Sequence, residues 1–224
     1  MDRIAVKTNI LQENQDAAAR NRCLFEQEGM VVINLMSAPG AGKTSLLEAT
    51  LRRVRDRYRV AVIEGDLQTD LDAERIRALG VRSYQITTGT VCHLDARMIA
   101  RALAELPVEG LELLIIENVG NLICPASYNL GEDFRVVIAS ATEGAEKPKK
   151  YPVMFNKADT VLLNKADLAA LSGVDMAELE RNVREVNPDA MVMALSCRTG
   201  EGLDDWISWL GDAVASRKMA SVTT

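Results

Sequence analysis

An apolar run, Val31-Val32-Ile33-Asn34-Leu35-Met36, leads into Ser37-Ala38-Pro39-Gly40-Ala41-Gly42-Lys43-Thr44-Ser45, and a helical pattern opens at Leu46. Strand, glycine-bearing loop, Gly-Lys-Thr and helix in that order are the context of a phosphate-binding P-loop. Backbone N–H groups and the helix N-terminus would surround phosphates with partial positive charge. The expected phosphate contacts are Pro39, Gly40, Ala41, Gly42, Lys43, Thr44 and Ser45. Gly40 and Gly42 let the backbone approach closely because no Cβ intervenes. Lys43 is expected to reach the terminal phosphates and the Thr44 hydroxyl to hold Mg²⁺. One departure is visible, since Ser37 stands where a glycine is usual.

From residue 31 the pattern alternates strand and helix, which calls for a parallel sheet covered on both faces. Strands are expected over 31–36, 59–64, 81–86, 111–116, 134–140, 160–164 and 190–195. Helical patterns fill 43–57, 70–79, 94–106, 175–187 and 203–216, while Asp66–Asp72 and Gly144–Phe155 read as loops. The fold class is therefore α/β, a single P-loop NTPase domain with a mostly parallel, doubly wound sheet of about seven strands. Residues 1–30 read as an N-terminal helical extension ending near Gly29, either packed on the domain or serving as a partner-docking arm. The domain itself spans 31–216, and 217–224 is expected to fray.

A net charge of -6 and a pI near 5.0 argue against nucleic acid as the main partner. No run approaches a membrane span and no signal peptide opens the chain, so a cytoplasmic protein without a membrane partner is expected. Four cysteines, Cys23, Cys92, Cys124 and Cys197, suit a reducing compartment better than a disulfide framework.

Asn164-Lys165-Ala166-Asp167 follows Val161-Leu162-Leu163 at the end of an expected strand. A carboxylate there can accept from both guanine N1–H and the N2 amine, and adenine offers no matching pair. The same four letters recur at Asn156-Lys157-Ala158-Asp159, behind the proline-bearing Tyr151-Pro152-Val153-Met154-Phe155. Proline suits a central strand poorly, so the second copy is chosen. Leu195-Ser196-Cys197-Arg198-Thr199-Gly200 resembles the loop that buttresses guanine in G proteins, with Ser196 as a further contact. GTP and GDP are the expected ligands.

Two strand-end carboxylates, Asp66 and Glu117, would lie on the carboxyl edge of the sheet beside the P-loop. With Lys43 and Thr44 they form the expected catalytic and Mg²⁺-binding set, one of them acting through water. The alternative is that they are simply solvated.

Cys92, His93 and Cys124 carry thiolate and imidazole, which are ligands for Ni²⁺ or Zn²⁺. Cys92-His93 falls just ahead of a helix, where the positive N-terminus favours thiolate. Cys124 lies four residues past Gly120, on the loop expected to sense a γ-phosphate. From spacing alone, buried cysteines and an unrelated histidine remain the alternative.

Gly89-Thr90-Val91-Cys92-His93-Leu94, Glu117 to Ala126 and Lys147-Pro148-Lys149-Lys150-Tyr151-Pro152 resemble the HypB family of hydrogenase maturation GTPases over nearly the whole chain. That family is similar to the urease accessory GTPases, whose Cys-Pro-His motif is missing here. The resemblance implies a GTP-dependent metallochaperone that assists nickel insertion into [NiFe]-hydrogenase. It further implies a homodimer promoted by GTP and metal, a nickel-carrier partner of the HypA type and a hydrogenase large subunit precursor as client. The N-terminal Cys-x-x-Cys-Gly-Cys motif and the His-rich tract of some members do not occur, leaving the switch-linked site. Three other readings stay open: service to another nickel enzyme such as urease, a P-loop kinase or ATPase with structural cysteines, and a GTP-binding module that hydrolyses too slowly to count as an enzyme and acts through partner binding. No separate catalytic glutamine or arginine is evident, so hydrolysis is expected to be slow without activation.

Overall fold

A computed structural model describes residues 3–66 and 71–222. Part of the expected Asp66–Asp72 loop and the end of the expected tail lie outside the described residues. Seven strands form one sheet: β1 (Val31–Ser37), β2 (Val60–Asp66), β3 (Arg82–Thr87), β4 (Leu113–Glu117), β5 (Phe134–Ser140), β6 (Thr160–Asn164) and β7 (Met191–Ala194). The order is β3-β2-β4-β1-β5-β6-β7, and every pairing is parallel. The chain leaves β1 in one direction and returns to its other side at β5. The loop after β1 thus stands at a point where strand order reverses, the crevice in which open α/β sheets bind ligands.

The helices are α1 (Arg3–Gln27), α2 (Lys43–Val54), α3 (Leu71–Arg77), α4 (Ala96–Glu105), α5 (Lys147–Lys150), α6 (Pro152–Asn156), α7 (Ala169–Ser172), α8 (Met176–Val186) and α9 (Leu203–Val222). Period-two alternation decides which layer each strand residue joins. Val31, Ile33 and Leu35 pack with Leu46, Leu47 and Leu51 of α2 and with Trp206 and Leu210 of α9. Val32 turns to the other face with Ile63 and Ile116, under Phe25 of α1 and Ile99 of α4. Beyond it Met36, Val137 and Val161 meet Phe155, Leu179 and Val183 of α6 and α8. Every residue of β1 and β4 is buried, as a strand covered on both faces requires.

Two stretches differ from the sequence expectation. The stretch read as a loop over Gly144–Phe155 contains α5 and α6. Pro148 and Pro152 lie in the first turn of each, where a missing N–H costs no helical bond. The last helix continues past 216 to Val222, and Arg217 ion-pairs with Asp133 while Lys218 pairs with Glu112. The buried residues of α1 include Phe25 together with the small or polar Asn14, Ala17, Ala18 and Asn21. Asn14 and Asn21, with Ala17 and Ala18, lie against the start of α4 and the 129–131 turn, bonding Asn129, Leu130 and Ala96 through backbone groups.

Candidate nucleotide and metal site

The P-loop runs from the carboxyl end of β1 into α2. Gly42, the residue before α2, has φ +99°, and a Cβ there would stand 2.5 Å from Asn164 Nδ2. Glycine is required on both counts. Lys43 Nζ donates to Ser37 Oγ at 2.9 Å, so the serine in place of a loop glycine supplies an acceptor for this lysine. Thr44 Oγ1 donates to Glu117 Oε1 at 3.0 Å. Lys43, Thr44, Asp66 and Glu117 line one cavity with Pro39, Gly40, Gly42 and Ser45, as the sequence reading grouped them. Ala41 is fully buried and contributes its carbonyl to Asn164 instead. The hydroxyl and carboxylates here are all oxygen donors, a set that fits a hard cation such as Mg²⁺.

Glu64 and Arg75 line the same cavity and were missed. Glu64 pairs in register with Glu117 and is buried. Its signal was present, for it lies two residues before Asp66 and so on the same face of β2. Arg75 carries no such signal; α3 delivers it beside Glu48, 2.6 Å away.

The second cavity adjoins the first, sharing Gly42, Ser45 and Lys165, and is lined by Asn164, Asp167, Cys197 and Arg198. Asn164 Nδ2 donates to Ala41 O at 2.9 Å and Lys165 Nζ donates to Gly40 O at 2.7 Å. Lys165 is the one non-glycine among the described residues with positive φ, at 60°. Backbone strain of this kind gathers at ligand clamps. Asp167 accepts from Ser196 Oγ at 2.5 Å and from Arg198 Nε at 2.8 Å. The Ser196 hydroxyl and then the Arg198 guanidinium hold its carboxyl below the usual aspartate value. The other copy of the motif is elsewhere: Asp159 accepts from the backbone of Arg135, and Lys157 donates to Ala126 O. It ties α6 to β5 and the 125–127 turn, away from the P-loop.

Cys92 and His93 lie in the loop after β3, and Cys124 in the loop after β4. Because β3 and β4 flank β2, both loops emerge on the carboxyl edge within reach of each other. The Cys92 and Cys124 sulfurs are 2.9 Å apart, and with one His93 nitrogen all three ligand atoms lie within 4.8 Å. Hydrogen bonding to Cys92, then burial, raises the Cys124 thiol pKa. Burial lowers that of His93 against the opposing pull of Asp95, favouring the neutral imidazole that binds metal. The ring stacks on Tyr128 at 3.9 Å, and its Nδ1 is buried without a hydrogen-bond partner. A set of two sulfurs and one nitrogen with a dry ring nitrogen fits Ni²⁺ or Zn²⁺ in an open shell. Cys23 and Cys197 are not in the cluster.

Asn118 is the other residue that the sequence reading passed over. Its Oδ1 accepts from the backbone N–H of Leu94 at 3.1 Å and of Val119 at 3.0 Å. Its only sequence signal is adjacency to Glu117.

Comparison with known proteins gives the same assignment of fold. The family model described as CobW/HypB/UreG, nucleotide-binding domain, matches residues 31–194. The chain is 49% identical over 220 residues to the hydrogenase maturation factor HypB of Azotobacter vinelandii, covering 98% of this chain and 72% of that protein. The crystal structure of the hydrogenase maturation factor HypB from Archaeoglobus fulgidus aligns with a TM-score of 0.86 at 38% identity, over 91% of this chain and 99% of that one. HypB from Helicobacter pylori, crystallised in complex with nickel, aligns with a TM-score of 0.87 at 39% identity, over 91% and 96%.

Proposed function

Because the chain belongs to the HypB family of hydrogenase maturation factors, within the CobW/HypB/UreG nucleotide-binding group, we propose that it is a GTP-hydrolysing metallochaperone that assists nickel insertion into [NiFe]-hydrogenase. The observation that carries this reading is the thiol pair Cys92–Cys124 with His93, standing on the same sheet edge as the P-loop. A kinase or ATPase with structural cysteines has no use for that grouping, and Asp167 opposes it at the base.

In this reading guanine donates N1–H and its N2 amine to Asp167, which Ser196 orients. Asn164 and Lys165 brace the P-loop through Ala41 and Gly40. Lys43 exchanges the Ser37 hydroxyl for a phosphate oxygen, a charge-assisted contact stronger than the one it leaves. Thr44, Asp66 and Glu117 would hold Mg²⁺, which would supply charge that neutralises the phosphates. Nickel is cargo: three ligands make a shell open enough to receive and release it. A homodimer with its two-fold axis near Cys92-His93 would bring a second copy of each ligand. The partners in this reading are a nickel-carrier accessory protein of the HypA type and the hydrogenase large subunit precursor, in the cytoplasm.

Two measurements on the isolated protein test it. GTP is expected to bind at least about a hundredfold more tightly than ATP. Nickel is expected to titrate to the wild type and not to the Cys92→Ala/Cys124→Ala double variant. Equal affinity for ATP, or nickel binding that survives both substitutions, would overturn the reading.

A further inference from the structure

Glu117 ends β4 and Asn118 is the first residue beyond it, and the two serve two sites. The Glu117 side chain reaches into the phosphate cavity, 3.0 Å from Thr44 Oγ1. The Asn118 residue borders the same cavity, but its side-chain amide is bonded to Leu94, Val119 and Asn34. It is 1% exposed, and it accepts the Leu94 N–H at 3.1 Å. Leu94 directly follows Cys92 and His93. Asn118 Nδ2 is anchored on Asn34 Oδ1 at 3.2 Å, within β1, and the Asn118 N–H bonds Leu35 O at 2.9 Å.

The surroundings leave this link no slack. A Cβ on Gly65 would stand 2.8 Å from three side-chain carbons of Leu94, so Leu94 is packed directly against the β2 backbone. A Cβ on Gly120 would stand 3.2 Å from Pro39, so the segment after Asn118 rests on the P-loop itself. Farther on, Asn121 Oδ1 accepts the N–H groups of Ile123 and Cys124. Close-packed interiors transmit displacement rather than absorb it.

We propose that Asn118 is the positioning residue that couples nucleotide state to the metal cluster: a shift of Glu117 with the γ-phosphate moves the Asn118 amide, and with it the Cys92-His93-Leu94 segment. The inference rests on the reading of the two sites as nucleotide and nickel sites. It adds a specific route, through one buried side-chain amide and one backbone N–H. Coupling by this route is reciprocal, so nickel alters GTP affinity by the factor that GTP alters nickel affinity.

The test compares nickel affinity in the GDP state and with a non-hydrolysable GTP analogue, for wild type, Asn118→Ala and Asn34→Ala. Asn34→Ala removes a buried amide from the same network but leaves the Asn118–Leu94 bond, so it controls for general loosening. Wild type and Asn34→Ala are expected to show a coupling factor within about 5- to 150-fold. Asn118→Ala is expected to bind GDP and nickel separately, with a coupling factor within about twofold of unity. Hydrogen exchange on metal-free wild type requires no variant: protection of the Leu94 amide is expected to differ between the two nucleotide states. Full coupling in Asn118→Ala, equal loss in both variants, or identical Leu94 protection in both states would overturn the inference. Absence of coupling in wild type would overturn it together with nucleotide-controlled nickel handling. Should Asn118→Ala fail to fold, the exchange measurement decides.

Discussion

The Arg198 guanidinium grips Asp167 through two nitrogens, Nε at 2.8 Å and Nη2 at 2.7 Å from the same carboxylate oxygen. An arginine therefore holds the group that guanine would need. The pair is unequal in exposure, 73% for Arg198 and 9% for Asp167, so the arginine can leave into water. Arg198→Ala is expected to tighten GDP by about fivefold at most, the scale of an exposed ion pair. IDP should gain by the same factor, since the competitor is lost from the free state common to both. Weaker binding of both nucleotides would mean that Arg198 contacts the bound base instead.

Asp167 also gives a pH dependence with a definite sign. Its carboxyl is held below the usual value, first by Ser196 and then by Arg198, so it stays ionised through the ordinary carboxylate range. The contribution of Asp167 to GDP affinity, taken as the difference from Asp167→Asn, is expected to be flat from about pH 8 to pH 5 and to fall only below about pH 4. Asp167→Asn should shift preference towards xanthine nucleotides, whereas Asp159→Asn should leave GDP affinity within about twofold. Nucleotide titration at each pH reads all three.

At the phosphate end, Lys43→Ala is expected to lower single-turnover GTP hydrolysis by about 10²-fold or more. Thr44→Ala should weaken binding of the Mg²⁺-triphosphate more than that of GDP. Glu117→Ala should likewise spare GDP, and an equal loss of GDP and GTP affinity would assign Glu117 a folding role.

Thiol reactivity separates the four cysteines. Burial pushes the Cys197 thiol up to about 11, so it is protonated and shielded at pH 8. Cys23 is exposed. Alkylation at pH 8 is expected to label Cys23 at least about tenfold faster than Cys197, because the thiolate is the nucleophile. Nickel should protect Cys92 and Cys124 without changing the rate at Cys23.

Assembly is expected to respond to both ligands. A GTP analogue and nickel should each displace a monomer–dimer equilibrium towards dimer, and together most of all, as read by sedimentation. Lys147 pairs with Glu143 and Lys150 with Glu146 within the chain, so both lysines already have local partners to exchange. Lys147→Ala or Lys150→Ala should reduce the GTP response and keep the nickel response, and Cys92→Ala should do the reverse. An unchanged monomer in all four ligand combinations would remove the dimer from the mechanism.

Much of this was legible in the chain itself, because it follows from period and local chemistry. Alternating apolar runs and helical patterns require a parallel sheet, and such a sheet brings every strand's carboxyl end to one edge. That is why Gly42, Asp66, Glu117 and Asp167 could be assigned to one crevice before any contact was known. The tertiary structure decided the pairings that depend on strand order. Cys92 meets Cys124 because β2 lies between β3 and β4, and no spacing of 32 residues encodes that neighbour. Two identical tetrapeptides differ in role because one abuts Ala41 and Gly40 while the other abuts Arg135 and Ala126. Asn118 and Arg198 acquire meaning only through Leu94 and Asp167, partners distant in sequence that the packed sheet edge brings within hydrogen-bond reach.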